Sequence, residues 1–312
     1  MIFNAADAVA THLKKLSKDV RSAAQKKQRF RQFVRPETSF TTHMSDQYQF
    51  TKIGNIEEEA ETIGEEGAIP QGKPNITSDI VTAEEKSLEL PYTQRSVILS
   101  ELSLESMFVR KLMDHAVKTL DKISAIPFRQ ADLVYTPMGT TGSKDYTLGT
   151  AGVALDVAER PLALWDLRNI RGIMSNDHDI PGFGGGEEYI LIATENLTRG
   201  LKEDAAYIEY AKEAYPDKAL NGEMGMIENF RIIQENNVLD NNLPGGLGEG
   251  VAFGDDPVIE IEIWPLELQR AISESYGRSK AIRWTWFGGF KKTWNFATEG
   301  QARILRIHSL PS

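Results

Sequence analysis

The sequence contains no cysteine, which excludes disulfide bridges, thiolate nucleophiles, zinc fingers and iron–sulfur clusters. It also contains no apolar run approaching the roughly 20 residues that a membrane helix needs. The opening Met1-Ile2-Phe3-Asn4-Ala5-Ala6-Asp7 lacks the basic and continuously apolar regions of a secretory signal, so synthesis in a reducing compartment is expected. Histidine is scarce. His12, His43, His115, His178 and His308 are dispersed, with no His-x-x-x-His or Glu-x-x-His spacing for a metal. No Gly-x-Ser-x-Gly elbow occurs. Gly139-Thr140-Thr141-Gly142-Ser143-Lys144 has phosphate-loop letters in the wrong order. Gly182 to Gly186 runs into Glu187 and Glu188, which would repel a phosphate. Asp177-His178-Asp179 reads as a polar turn before Pro181. Glu260 and Glu262 look like a catalytic carboxylate pair, but they alternate with Ile259 and Ile261 and are expected on the solvated face of a strand. The expectation is therefore no catalytic residue, no metal and no cofactor.

What is present is organised by charge. The 312 residues are 41% hydrophobic and 26% charged, within the ordinary range for globular proteins. A net charge of −10 argues against a surface that binds nucleic acid throughout. Yet residues 12–35 are strongly basic: Lys14, Lys15, Lys18, Arg21, Lys26, Lys27, Arg29, Arg31 and Arg35 face only Asp19. Val9, Leu13, Leu16 and Val20 make one narrow helical stripe there. Such a segment is an arm that must lie on something, and its charge fits an anionic partner such as nucleic acid or an acidic protein. A solvated amphipathic terminus fits equally well.

Next, Tyr48, Phe50 and Lys52 alternate with Gln47, Gln49 and Thr51, a strand pattern. The chain then turns acidic at Glu57, Glu58, Glu59, Glu61, Glu65 and Glu66, and Gly64, Gly67, Pro70, Gly72 and Pro74 break any helix. A second extended run covers residues 75–83, and Leu88, Leu90 and Tyr92 alternate after it. The pattern predicts a long two-stranded excursion with an acidic tip, polar on both faces and needing a neighbouring surface. From Ser100, a plausible N-cap, Leu104, Phe108, Leu112 and Ala116 step by four, with Met107, Leu120 and Ile123 on the same side. This predicts an amphipathic helix of about 25 residues ending at Pro127, with Arg110, Lys111, Asp114, Lys118, Asp121 and Lys122 on its open surface. Helices are expected over 163–175 and 196–213, and strands at 189–193, 259–263, 282–286 and 303–307. The class is α+β, without the βαβ alternation of a doubly wound sheet.

This order, together with several words, resembles the major capsid proteins of tailed bacteriophages, which have the Hong Kong 97-like fold. The words are similar to those of the family's N-four-like branch. They are Ile63-Gly64-Glu65-Glu66-Gly67-Ala68-Ile69-Pro70-Gln71-Gly72, the stretch from Ser100 to Asp121 with Thr119-Leu120-Asp121, residues 220–231 around Gly222-Glu223-Met224-Gly225, and Trp284-Thr285-Trp286-Phe287-Gly288-Gly289-Phe290-Lys291-Lys292. The resemblance implies an N-terminal arm over 1–45 and an extended E-loop over 46–98. It further implies a P-domain spine helix region over 99–130 with 278–296, and an A-domain over 131–277 with 297–312.

By the same resemblance the chain would self-assemble, as hexamers and pentamers, into an icosahedral shell enclosing double-stranded DNA without sequence-specific binding. It would reside in the virion capsid, assembled in the bacterial host cytoplasm, with no membrane partner. A portal and a separate scaffolding protein are expected, because the basic arm is too short to hold a large scaffolding domain, and a decoration protein is allowed for. The acidic tip, Glu57 to Glu66, would lie on a neighbour's spine helix at Arg110, Lys111, Lys118 and Lys122. An encapsulin-like compartment, another virion component and an unrecognised hydrolase remain open at this point.

Overall fold

The computed structural model describes residues 29–37, 45–54, 72, 74–99, 104–140, 142–150, 158–204, 226–235, 238–239, 246–271 and 278–310. In chain order these form a 3-10 turn (Arg31–Phe33), β1 (Arg35–Glu37), β2 (Gln47–Ile53), β3 (Ile76–Thr82), β4 (Glu84–Thr93), α1 (Gln94–Leu99) and α2 (Leu104–Arg129). There follow β5 (Leu133–Pro137), β6 (Tyr146–Thr150), α3 (Leu164–Gly172), β7 (Tyr189–Ala193), α4 (Glu195–Glu203), β8 (Met226–Ile227) and β9 (Phe230–Gln234). The chain closes with β10 (Gly248–Phe253), β11 (Val258–Arg270), β12 (Ser279–Lys292), α5 (Phe296–Glu299) and β13 (Ile304–Ser309). The expected α+β class is what is found. The basic residues from Lys14 to Lys27, the acidic tip from Glu57 to Glu66, Ser100 and residues 220–225 lie outside the described residues.

Two sheets organise the chain. A seven-stranded sheet has the order β6-β5-β13-β10-β7-β9-β8. Its central strands are apolar on both faces, as in Tyr189-Ile190-Leu191-Ile192-Ala193, where every residue is buried. Leu191 and Ala193 pack with Leu164, Leu167 and Ile170 of α3 and Leu197 and Leu201 of α4. Ile190 and Ile192 pack on the opposite side with Phe30, Phe33, Val34 and the end of α2.

The second sheet, in the order β1-β11-β12-β4, is a sandwich filling. On one face Trp284, Trp286, Ile282, Leu266 and Leu268 meet Leu112, Ala116 and Leu120 of α2. On the other face Ile259 and Ile261 meet Phe50 and Val81 of the two-stranded β2–β3 hairpin, and Ala83 just after it. The hairpin crosses β12 at Gly289, where any Cβ would collide with the carbonyl of Thr82. Only glycine permits that approach.

Four expectations need correction. α2 does not stop at Pro127 but runs through it to Arg129. A proline inside a helix costs about 3 kcal/mol. Fully burying a large apolar side chain returns about 1.5–3 kcal/mol, and both Ala125 and Phe128 are buried, with Phe128 against the rings of Phe30 and Phe253. Packing wins. Second, Met107 is exposed, whereas Asp121 is buried, because its carboxylate accepts the backbone N–H groups of Arg29 (3.0 Å) and Phe30 (3.1 Å). Third, Glu260 is not on a solvated face. β1 pairs parallel with β11 at residues 259–261, and Arg31 in the turn before it bonds Glu260 (2.7 Å) and Glu262 (3.0 Å). Fourth, α4 ends at Glu203, since Asp204 is already extended; the rest of the expected 196–213 helix lies outside the described residues.

Candidate interaction surfaces

Among the described residues no group of three His, Asp or Glu side chains converges as a metal site. His178 instead packs edge-on to Phe296, with ring centroids 5.0 Å apart. The Gly182–Gly186 loop turns through positive φ at Gly184 and Gly185, and the Gly184 N–H donates to Asp255. The loop around Gly142 to Lys144 borders a cavity of about 450 Å³ with Arg160, Trp165, Glu203 and Asp204. Arg160 is no free ligand there, because both of its terminal nitrogens grip Asp166 (2.6 and 2.7 Å).

Buried charge is used for clamping. Asp166 is wholly buried and also accepts from the Tyr135 hydroxyl (2.7 Å) and the Ala163 N–H (2.9 Å). Burial, and with it the Asp166 carboxylate, pushes the Tyr135 hydroxyl far above its ordinary pKa. A second clamp joins α2 to the seven-stranded sheet, as buried Glu249 accepts from Arg129 (3.0 Å) and Arg306 (2.8 Å). Beside it the buried imidazole of His308 is pushed down to about 3, first by burial and then by Arg306 and Arg129.

The hairpin root is the third clamp. Lys52 is buried, with its ammonium between the rings of Phe50 (5.4 Å) and Trp294 (5.5 Å). It pairs with Glu299 of α5 (2.5 Å) and Asp79 of β3 (3.6 Å). Glu299 also accepts from Thr77 of β3. Burial alone would raise the Asp79 carboxyl, but the hydrogen bond from Lys291 and the charge of Lys52 hold it below its ordinary value. The hairpin is therefore held by its own chain at its base, contrary to the expectation that only a neighbour could support it. The alternation already put Lys52 on the face of Tyr48 and Phe50, and a lysine on an apolar face was the available signal for this clamp.

The outer face of the hairpin is different. Register pairs Ile53 with Ile76 and Gln49 with Ile80. Ile53 and Ile76 are 66% and 62% exposed. These neighbours form an apolar patch that nothing among the described residues covers. The acidic residues Glu57 to Glu66 lie outside the described residues. Arg110, Lys111, Lys118 and Lys122 all lie exposed on α2, on the far side of the sheet from the hairpin. Of the basic arm residues, Arg29 is exposed and Arg31 is committed to Glu260 and Glu262.

A helix clamped on one face of a sheet and a long hairpin laid on the other, beside a larger mixed sheet, is the fold of phage capsid structures. The capsid of Ralstonia phage GP4 is similar over 90% of this chain and 87% of that one, with a TM-score of 0.63 and 15% identity. The head structure of Helicobacter pylori bacteriophage KHP40 is similar over 89% and 88%, with a TM-score of 0.65 and 12% identity. The capsid of Cyanophage P-SCSP1u gives 91% and 89%, a TM-score of 0.65 and 12% identity. No family model matches the sequence. No curated protein matches it either. At such identities the likeness is one of fold, and it bears out the expected Hong Kong 97-like architecture.

Proposed function

We propose that this chain is the shell-forming subunit of a tailed-phage head, assembling as hexamers and pentamers around double-stranded DNA. The observation that carries the reading is the likeness to phage capsid structures over about nine-tenths of both chains. The exposed isoleucines of the hairpin support it, since an uncovered strand pair with an apolar face invites a neighbour. In this reading residues 46–98 reach onto an adjacent copy and residues 1–45 are an arm. Residues 99–130 with 278–296 form the domain that receives the contact, and 131–277 with 297–312 surround the symmetry axes. A separate scaffolding protein and a portal would take part in assembly, and the reading leaves room for a decoration protein without requiring one. No enzymatic step is assigned, because the buried charged clusters described above are closed within themselves.

Expression of the full chain, with and without a co-expressed scaffold, and electron microscopy of the product tests this. Closed shells are expected. A stable monomer in both conditions would overturn it, and shells filled with protein cargo in place of DNA would point to a storage compartment.

A further inference from the structure

α2 lies on one face of the four-stranded sheet through Leu112, Ala116 and Leu120. At 100° per residue, Lys111, Lys118 and Lys122 fall within roughly 40° of one another and roughly 140° from the centre of that packed stripe. They form a column turned away from the sheet. All three are exposed, and none has an ion-pair or hydrogen-bond partner among the described residues. Exposed Met107 and Ile126 stand one turn before and one turn after the column. The carboxylates of α2 are engaged elsewhere. Glu105 accepts from the Tyr92 hydroxyl (2.9 Å), Asp121 points inward to the N–H groups of Arg29 and Phe30, and half-buried Asp114 has an interaction of its own.

The opposite face of the same sheet carries the converse pattern. Register puts Glu85 beside Phe287, Ser87 beside Thr285 and Glu89 beside Arg283, on the face away from Trp284 and Trp286. Thr285 pairs in turn with Glu267, and Phe287 with Trp264. Glu85, Glu89 and Trp264 are exposed, and Glu267 is half-buried. The three carboxylates have no ion-pair or hydrogen-bond partner among the described residues. The nearby cations are taken, Lys86 by Glu84 and Arg283 by Gln269, which accepts from Nε (3.0 Å) and Nη2 (2.7 Å). An exposed indole thus lies beside unanswered carboxylates, past the part of the face that the hairpin covers at Ile259, Ile261 and Gly289.

We propose that these two surfaces meet between copies, the α2 column of Lys111, Lys118 and Lys122 on one copy docking on Glu85, Glu89 and Trp264 of the next. The proposal rests on the shell reading and deepens it, since that reading has residues 46–98 of one copy meet residues 99–130 of another. The two surfaces lie on opposite faces of one sheet, so no chain can join its own. Two different patches that look in opposite directions make a head-to-tail contact, the kind that repeats from copy to copy and generates rings. Their dimensions agree. Lys111 to Lys118 spans about 10 Å of helix and Lys111 to Lys122 about 16 Å, against about 13 Å from Glu85 to Glu89 along a strand. Flexible lysine stems take up the difference and lie along the indole while their ammonium groups reach the carboxylates. Each exposed pair is weak alone, and the strength comes from repetition.

The test reverses the charges in the full chain. K111E/K118E/K122E and E85K/E89K should each lower the yield of closed particles, counted by electron microscopy, by about tenfold or more, and the two sets combined in one chain should restore it. Normal yield from either set alone, or a combined chain no better than either set, would overturn the proposal. All five positions are exposed, so the unfolding midpoint should stay in place. If a variant nevertheless fails to fold, zero-length carbodiimide coupling of unmodified particles decides. Mass spectrometry should find amide links from Lys111, Lys118 or Lys122 to Glu85 or Glu89, and the sheet stands between these groups within one chain, so such links report contact between copies. Particles without them leave the shell reading intact and remove this contact. An unmodified chain that forms no particles fails the shell reading itself, and this contact with it.

Discussion

The seven-stranded sheet and the hairpin–sheet–helix sandwich both bury charge, but they differ in what they leave open. In the first, Arg160, Asp166 and Glu249 are buried and answered inside the chain. In the second, Glu260, Asp121 and Lys52 are also answered within the chain, but the isoleucines at the end of the hairpin and the lysines of α2 are left open. The second has surfaces whose free energy is realised only against something else. Variants should therefore divide into those that unfold the protein and those that leave the fold but change what it contacts.

The largest effect is expected from Asp166→Ala, which leaves the buried Arg160 guanidinium without its partner. Removing one member of a buried pair costs about 3–5 kcal/mol, and denaturant unfolding should register a loss of that order. A loss below about 1 kcal/mol would mean that the first region does not depend on its internal clamps. Next comes pH. His308 is held near 3 in the folded chain, against an ordinary value of 6.5. Below 6.5 the unfolded chain takes up a proton that the folded chain refuses, so this contribution to stability is lost as pH falls from 6.5 towards 3. The melting temperature should drop over that window, and less so for His308→Gln; parallel curves would refute the assignment.

A smaller and more local loss is expected from Lys52→Met. With the charge gone, β2–β3 should exchange its amide hydrogens faster, at a cost of about 1–3 kcal/mol, while the seven-stranded sheet keeps its protection. Equal acceleration in both regions would break the comparison. The smallest effect on the fold belongs to Glu57→Lys, Glu58→Lys and Glu59→Lys together. Exposed charges contribute only about 0–1 kcal/mol each, so the unfolding midpoint should barely move while the yield of closed particles falls. Normal particle yield would show that the acidic segment does not guide assembly.

Period-two and period-four patterns made β2, β12 and α2 legible, because local geometry puts like residues on one face, and an unbroken apolar run made β7 legible. The Lys52 clamp was half legible, as a lysine in step with Tyr48 and Phe50. The Arg160–Asp166–Tyr135 cluster was not, since Tyr135 comes from β5, far from α3 in sequence, and nothing local marks it.

By itself, then, the sequence determined the element types, the segregation of basic and acidic stretches and the absence of thiol chemistry. All of these depend on composition or on spacing within a few residues. Only the tertiary structure decided that Glu260 and Asp121 are buried, that α2 continues through Pro127, and that hairpin and helix lie on opposite faces of one sheet. The physical reason is common to all three. Each depends on residues 29–34 or β12 returning from a great distance along the chain, and contact energies between remote segments leave no trace in local periodicity.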